Sequence, residues 1–204
     1  MMNKEKIIEI LLDKFLDSKI ILNDKYIEIN IEKNILLSVI KDLKEDSSLQ
    51  YNQLIDLTAI DYPSREKRFE LVYLLLSMTQ NSRILVKTSI KENQNIESIT
   101  SVHRSSDWYE RECYDLFGIQ FLNHPDLRRI MTDYNFEGHP LRKDFPLTGH
   151  TEVRYDDLEK KVVYQPVKLT QEYRNFDYMS PWEGFDNKLI GDEKSQEELK
   201  NEGS

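Results

Sequence analysis

The apolar residues in the first 117 positions recur with the periods of regular secondary structure. From Ile7 to Leu16 they have helical spacing, which predicts an amphipathic helix. From Ile27 to Ile31 isoleucines alternate with polar residues, a pattern typical of a half-buried strand. Helical spacing returns between Ile35 and Asp46, so a second helix is predicted there.

Further apolar runs follow this helix. Three strands are predicted at Leu54 to Ala59, Phe69 to Met78 and Arg83 to Ile90. The last two are predicted to form a hairpin around the turn residues Gln80-Asn81-Ser82. We therefore expect residues 1–117 to form an α+β domain with a mixed or antiparallel sheet of about four strands and helices on one face.

The chain changes character at Gly118, since all six glycines and all but one of the six prolines lie at or after it. Periodicity weakens, apart from a strand predicted at Lys161 to Val167. Yet aromatic residues continue: Phe121, Tyr134, Phe136, Phe145, Tyr155, Tyr164, Tyr173, Phe176, Tyr178 and Trp182. Because these need burial, we expect 118–186 to be an extended, irregular docking arm on another protein and 187–204 to be a disordered acidic tail.

The composition excludes some functions. A formal charge of -9 argues against nucleic-acid binding and against direct contact with anionic lipid. Cys113 is the only cysteine, so the chain has neither an internal disulfide nor the thiolates of an iron–sulfur cluster. No stretch approaches the roughly 20 apolar residues that span a bilayer, and the start is typical of neither a secretory signal nor a transit peptide. We expect membrane association only through protein partners, in the compartment where the chain is made.

A helix with five charged residues is predicted from Asp107 to Phe117. Asp107-x-x-Glu110 is predicted to be its capping box and Gly118 its end. Helical spacing places Arg111 between Asp107 and Asp115. The three residues form either an exposed ladder worth roughly 0.2–0.5 kcal/mol per pair or a buried network that docks the helix to the arm. The flanking aromatic residues favour the network.

The glutamates, the cysteine and the histidines in and around this helix are better interpreted as structural residues than as catalytic or metal-binding ones. Glu110 and Glu112 are two positions apart and point to different sides of a helix, which disfavours a general acid/base pair. Cys113 falls on the apolar face with Tyr109, Leu116 and Phe117, so we interpret it as a buried structural thiol. The histidines do not have the paired spacing of zinc sites, although aspartates lie between them: His103, His124, His139 and His150.

A basic group follows Gly118: Arg128, Arg129, Arg142, Lys143 and Arg154. No Gly-rich phosphate loop accompanies these residues, and acidic residues are interspersed among them. We therefore expect them to form ion pairs with a partner protein and not to bind a small anion.

The densest pattern runs from Glu110 to Met131. It is Glu-Arg-Glu-x-x-Asp-Leu-Phe, six residues, His, three residues and then Arg-x-Ile-Met. The pattern resembles the signature of the 30-kDa-type subunit, also called the C subunit, of the proton-pumping NADH:quinone oxidoreductase, respiratory complex I. The resemblance continues through Gly138 to Gly149, Val153 to Asp156 and Pro181 to Glu183. A chance match over so many constrained positions is improbable.

The resemblance implies that the signature residues fix the arm against the domain or a partner and do no chemistry of their own. These residues are Glu110, Arg111, Glu112, Asp115, Leu116, Phe117, His124, Arg128, Ile130 and Met131. It also implies that this subunit has no catalytic, cofactor-binding or metal residues, and that FMN, iron–sulfur clusters and quinone belong to other parts of the complex. The implied partners are the complex I subunits D, B and I, with the D subunit wrapped by the arm.

The implied function is that of a non-redox structural subunit of the peripheral arm, supporting NADH-to-quinone electron transfer coupled to proton translocation. The implied location is the cytoplasmic face of the bacterial inner membrane or the matrix face of the mitochondrial inner membrane. Two alternatives remain open. One is the homologous scaffold subunit of a membrane-bound hydrogenase or related dehydrogenase complex. The other, from a different class, is a free-standing metal-dependent hydrolase built on the His and Asp residues after Phe117.

Overall fold

The computed structural model describes residues 4–15, 19–22, 26–169 and 171. The chain divides into two compact units, of which the first ends at His150 and the second begins at Thr151. Residues 118–150, which the sequence assigns to the arm, thus belong to the first unit. The predicted tail and the end of the predicted arm lie outside the described residues. Within the described ranges, no helix has the length and apolar character needed to cross a bilayer.

The helices and strands follow the predicted order. The elements of the first unit are α1 (Lys4–Lys14), β1 (Lys19–Leu22), β2 (Ile27–Ile31), a 3-10 turn (Lys33–Ile35), α2 (Leu36–Glu45), β3 (Gln53–Asp61), β4 (Phe69–Ser77), β5 (Ser82–Ile90), β6 (Ile96–Glu97), α3 (Ser106–Phe117) and β7 (Phe121–Leu122). The second unit contains β8 (Thr151–Asp156) and β9 (Lys161–Pro166). The strand predicted near Lys161 is confirmed as β9.

Five of the described strands form one mixed sheet in the order β1-β2-β5-β4-β3. Strands β2 and β5 are parallel to each other, and the other neighbours in this sheet are antiparallel. The predicted α+β class is confirmed, with one strand more than expected. The sequence did not reveal β1, because its four residues, Lys-Ile-Ile-Leu, show no alternation of apolar and polar positions.

The hydrophobic core lies on one face of this sheet. Alternate residues of β4, including Leu71, Tyr73 and Leu75, are fully buried, whereas the residues between them are partly exposed. The buried residues of α1 and α2 belong to the same cluster as this inner face. The helices therefore cover one face of the sheet, as period-two strands and amphipathic helices require.

Helix α3 covers the edge strand β3. The hydroxyl of Tyr109 donates a hydrogen bond of 2.9 Å to the carbonyl of Ile55. The Cys113 sulfur lies 3.9 Å from the carbonyl of Leu57 and is buried, which confirms the interpretation of a buried thiol. These contacts occupy carbonyls at an edge that would otherwise be open to pairing with another chain.

Two neighbouring leucines on α1 test which face of this helix is buried. Leu11 is fully buried, whereas Leu12 is 48% exposed. We expect Leu11→Ala to lower the free energy of unfolding by roughly 2–5 kcal/mol, because it leaves a cavity in the core. Leu12→Ala, the matched control, is expected to change it by no more than about 0.5 kcal/mol. Urea unfolding of both variants measures the difference, and equal losses would contradict the packing of α1.

Candidate functional site

The signature helix α3 begins differently from the prediction. It starts at Ser106, whose hydroxyl donates to the carbonyl of His103 at 2.8 Å. Asp107 therefore lies inside the helix, and Glu110 accepts a 2.8 Å hydrogen bond from the backbone N–H of Ile99. The predicted capping box is wrong, because the residue before the helix is Ser105 and not Asp107, and the Glu110 carboxylate accepts from the N–H of Ile99 in the preceding loop.

Asp115 is the centre of the contacts between α3 and the residues that follow it. Its side chain is fully buried. One oxygen accepts from the backbone N–H groups of Ile130, Met131 and Thr132 at 3.0, 2.7 and 2.8 Å. The other accepts from the Arg129 guanidinium at 2.7 Å and from the Thr132 hydroxyl at 2.5 Å. Burial raises the pKa of Asp115, but these donors outweigh it and hold the pKa far below its usual range.

Arg111 does not bridge two carboxylates, so the predicted Asp107–Arg111–Asp115 network is wrong. Its guanidinium instead donates to the backbone carbonyls of Arg128 and Arg129, both at 3.2 Å. Helical spacing correctly places the three residues along one side of α3. The residues that pack on α3 instead provide both the cation that pairs with Asp115, which is Arg129, and the carbonyl acceptors for Arg111. We call residues 123–145, which make these contacts, the docked segment.

The docked segment also caps the C-terminal end of α3. The last carbonyls of a helix have no partner within it and carry the negative end of its dipole. Here the His139 ring donates to the carbonyl of Asp115 at 2.8 Å, and the Leu141 N–H donates to that of Leu116 at 3.0 Å. Arg142 donates to the carbonyl of Phe117 at 2.6 Å. The Arg142 cation thus lies where the helix dipole favours it, and the His139 ring satisfies a further carbonyl.

Gly118 ends α3 as predicted. It adopts the left-handed conformation with φ at 79°, and its N–H donates to the carbonyl of Tyr114 at 2.9 Å. A Cβ atom at this position would lie 2.6 Å from the His139 ring and 2.7 Å from the Arg142 guanidinium. Glycine is therefore required both by the backbone conformation and by the close approach of the docked segment.

Asp61, at the end of β3, is a second buried carboxylate, and it binds the docked segment near residue 143. Arg68 donates two hydrogen bonds to it, at 2.7 and 2.9 Å, and the backbone N–H of Lys143 donates a third at 2.7 Å. Arg68 also pairs with Asp144 at 3.0 Å. The Arg68 guanidinium lowers the pKa of Asp61. Asp61 and Asp115 thus bind the backbone of the same irregular segment at two points.

His124 makes a third contact between the docked segment and α3, and its side chain is fully buried. Its Nε2 atom is 3.1 Å from the carbonyl oxygen of Asp107, 3.3 Å from a carboxylate oxygen of Asp107 and 3.9 Å from one of Glu110. Its Nδ1 atom accepts from the backbone N–H of Asp126 at 3.1 Å. Glu110 is fully buried, and burial raises its pKa to about 7.

The remaining signature residues divide into buried and exposed groups. Phe117 is buried and meets Phe69 edge to face with 6.5 Å between ring centroids. Glu112, Leu116 and Ile130 are half-buried. Arg128 is exposed and pairs with Asp126, and Met131 is 64% exposed. Glu110 and Glu112 thus differ in burial, as expected for residues on different sides of the helix.

The basic residues after Gly118 were expected to pair with a partner protein. Instead, carboxylates of this chain bind several of them: Arg129 pairs with Asp115, Arg142 with Glu92 and Arg154 with Asp156. The sequence could not indicate this, because residues 118–150 fold back on their own domain and bring distant acidic residues close. Thr132 and Asp61 carried no signal in the sequence, since neither belongs to a motif.

The histidines have separate surroundings. His103 is buried before α3, where burial lowers its pKa to about 4, and His150 packs edge to face on Phe145 with 5.5 Å between ring centroids. His124 and His139 contact α3 as described. Among the described residues, no three or more His, Cys, Asp and Glu side chains form a group that could hold a metal ion.

Asp115 is expected to dominate the stability of this site. Asp115→Asn removes the charge that Arg129 and three backbone N–H groups bind, so we expect a loss of roughly 3–5 kcal/mol in the free energy of unfolding. Asp126→Asn is the matched control, because its pair with Arg128 is exposed on both sides, and we expect a change of no more than about 1 kcal/mol. Urea unfolding tests both, and a small loss in Asp115→Asn would contradict the central role of this carboxylate.

Comparison with known proteins gives a consistent result. Residues 29–151 match the family described as respiratory-chain NADH dehydrogenase, 30 Kd subunit. The C subunit of the NADH-quinone oxidoreductase of Ruegeria pomeroyi is 56% identical over 170 residues, which cover 83% of this chain and 85% of the relative. The C subunit of the Parvibaculum lavamentivorans enzyme is 58% identical over 158 residues, 78% of this chain and 79% of the relative.

Among solved structures, a chain of the membrane-bound sulfane sulfur reductase, an archaeal respiratory membrane complex, has the same fold. The TM-score is 0.63 at 23% identity, covering 71% of this chain and 86% of that chain. The family match spans more than half of the chain, and it includes all of α3 and the docked segment. The chain therefore belongs to the family of the 30 Kd subunit of the respiratory-chain NADH dehydrogenase, whose members include the C subunits of the NADH-quinone oxidoreductases.

Proposed function

We propose that this chain is a non-redox structural subunit of the peripheral arm of an NADH:quinone oxidoreductase, and that it docks on the D subunit through residues that follow His150. The names of its relatives support the assignment of this chain to an NADH:quinone oxidoreductase. The contacts of the signature residues support the structural role, because the side chains of Asp115, Arg111 and His124 make hydrogen bonds within this chain. Such residues hold a fold together, while exposed residues elsewhere make contacts with partners.

The observation that carries the docking proposal is the hairpin β8–β9. Its register places Val153 opposite Tyr164 and Tyr155 opposite Val162, so these four side chains share one face. Each of them is between 56% and 60% exposed. Such a face exposes two tyrosines beside two valines, and tyrosine is enriched at the centre of protein interfaces.

The opposite face of the hairpin is polar and hydrogen-bonded within itself. Arg154 donates to Gln165 at 2.7 Å and pairs with Asp156 at 3.0 Å, and Gln165 donates to Glu152 at 2.5 Å. A two-stranded hairpin is at best marginally stable in water without a surface to cover its apolar face. The hairpin therefore gains stability by laying its valine and tyrosine face on a partner.

In this proposal FMN, the iron–sulfur clusters and quinone are held by other subunits, and subunits D, B and I are the neighbours of this chain. Its membrane association is indirect, on the cytoplasmic face of a bacterial inner membrane or on the matrix face of a mitochondrial one. The fold shared with a chain of the sulfane sulfur reductase complex agrees with a scaffold that occurs in more than one respiratory complex. The sequence identities of 56% and 58% to relatives named NADH-quinone oxidoreductase favour NADH as the electron donor.

The docking face is tested by two single substitutions of equal charge in the hairpin. Tyr155→Glu places a carboxylate on the valine and tyrosine face, whereas Leu158→Glu places one at the hairpin turn, where Leu158 is 94% exposed. If Tyr155 is an interface anchor worth at least about 2 kcal/mol, its substitution weakens association about 30-fold or more. We expect Tyr155→Glu to lose the D subunit, and Leu158→Glu to retain it.

The measurement is a pull-down of tagged full-length chain from native membranes in mild detergent, with mass spectrometry and NADH:quinone activity on the eluate. Recovery of subunits B and D with inhibitor-sensitive activity supports the proposal. Recovery of a lone protein would contradict the structural role. Equal recovery of the D subunit with both variants would contradict docking through the hairpin.

A further inference from the structure

One buried N–H group of His124 faces more acceptors than it can serve. Its Nε2 atom lies 3.1 Å from the Asp107 carbonyl, 3.3 Å from a carboxylate oxygen of Asp107 and 3.9 Å from one of Glu110. Both carboxylate oxygens are buried and have no hydrogen-bond partner among the described residues. A single hydrogen makes one good hydrogen bond, so this cluster is one proton short.

The missing proton has no place on His124. The Nδ1 atom of this ring accepts a hydrogen bond from the backbone N–H of Asp126 at 3.1 Å. Protonation of Nδ1 would bring two hydrogens against each other, so the geometry fixes His124 as a neutral ring with its hydrogen on Nε2. A second proton must therefore lie on a carboxyl group.

Glu110 is the carboxyl group that the surroundings favour. Its other oxygen accepts from the Ile99 N–H at 2.8 Å, and the hydroxyls of Ser98 and Ser106 lie near it. From its own helix it faces Asp107 and the Cys113 thiol, from β4 the buried Tyr73, and from the docked segment the neutral His124. The groups around Glu110 are thus an amide, hydroxyls, a thiol, an imidazole and another carboxylate, none of which carries a positive charge.

We propose that Glu110 binds a proton as part of the native packing, and that this proton keeps the His124 turn, residues 123–126, seated against α3. Protonation removes a negative charge that burial disfavours and turns an acceptor into a donor. Loss of the proton leaves a buried carboxylate beside Asp107. The cluster then relaxes only by opening to water or by rotating His124 away from the Asp126 N–H, and either movement unseats the turn.

The direction of the pH effect follows from proton linkage. The pKa of Glu110 is about 7 in the native state against an ordinary value of 4.5, so the native state holds more protons than the opened one between these values. Opening of the His124 turn therefore becomes easier as pH rises through this window, by up to about 300-fold in total, and levels off above it. This trend is opposite to that of Asp115, whose lowered pKa makes stability decline as pH falls.

The test is hydrogen exchange of the full-length chain from pH 5 to pH 8, corrected for intrinsic exchange rates. The probes are the N–H of Ile99, bound to Glu110, and the N–H of Asp126, bound to His124. In the unmodified protein we expect their opening constants to rise steeply with pH up to about 7. Glu110→Gln, which keeps the shape of the protonated acid, is expected to abolish the slope. Glu112→Gln, on the half-buried side of the same helix, is expected to retain it.

A second measurement does not depend on any variant. The carboxyl carbon of Glu110, followed by NMR in selectively labelled protein, is expected to titrate near neutral pH. Titration in the ordinary range of glutamate, or identical exchange slopes in the unmodified protein and Glu110→Gln, would overturn the proposal. Both measurements use the isolated chain, so their outcome is independent of docking on the D subunit.

Discussion

The buried carboxylate of Asp115 is the interaction on which the arrangement around α3 depends. A buried charge is costly unless it is paired and hydrogen-bonded. Here the donors come from Arg129 and from three consecutive backbone N–H groups, together with the Thr132 hydroxyl. Each side needs the other: without the segment the carboxylate is uncompensated, and without the carboxylate the N–H groups lose their acceptor. Helix and docked segment therefore behave as one cooperative unit.

The docked segment shows how a chain without regular structure is held in place. Its backbone groups cannot pair in a helix or a ladder, so side chains and helix ends must satisfy them. Asp115 accepts from the backbone N–H groups of residues 130–132, and Asp61 accepts from the backbone N–H of Lys143. The carbonyls at the end of α3 accept from the backbone N–H of Leu141 and from the side chains of His139 and Arg142. These attachments are polar, which explains why the segment has little apolar periodicity although it belongs to the first unit.

The sequence predicted the regular elements well, because period and burial are linked within each helix and strand. It predicted Gly118 as the end of α3, since a left-handed residue there is a local requirement. It failed with Arg111 because the i, i+4 rule describes an isolated helix, whereas the cation that meets Asp115 comes from another part of the chain. The resemblance to a family indicated which residues matter, but spacing alone contains no information on which atoms meet across a turn.

Burial divides the residues of the signature into two groups. Asp115, Glu110, His124 and Phe117 have buried side chains and make their contacts within the chain. Partners can reach only what stays exposed, such as Met131 and the valine and tyrosine face of the hairpin β8–β9. The buried signature residues therefore describe how the chain folds, and in the docking proposal the surface that partners recognise consists of exposed residues such as those of the hairpin. A substitution in the signature would then reduce assembly indirectly, by unfolding the docked segment, whereas a substitution on the hairpin would reduce it without loss of stability in the first unit.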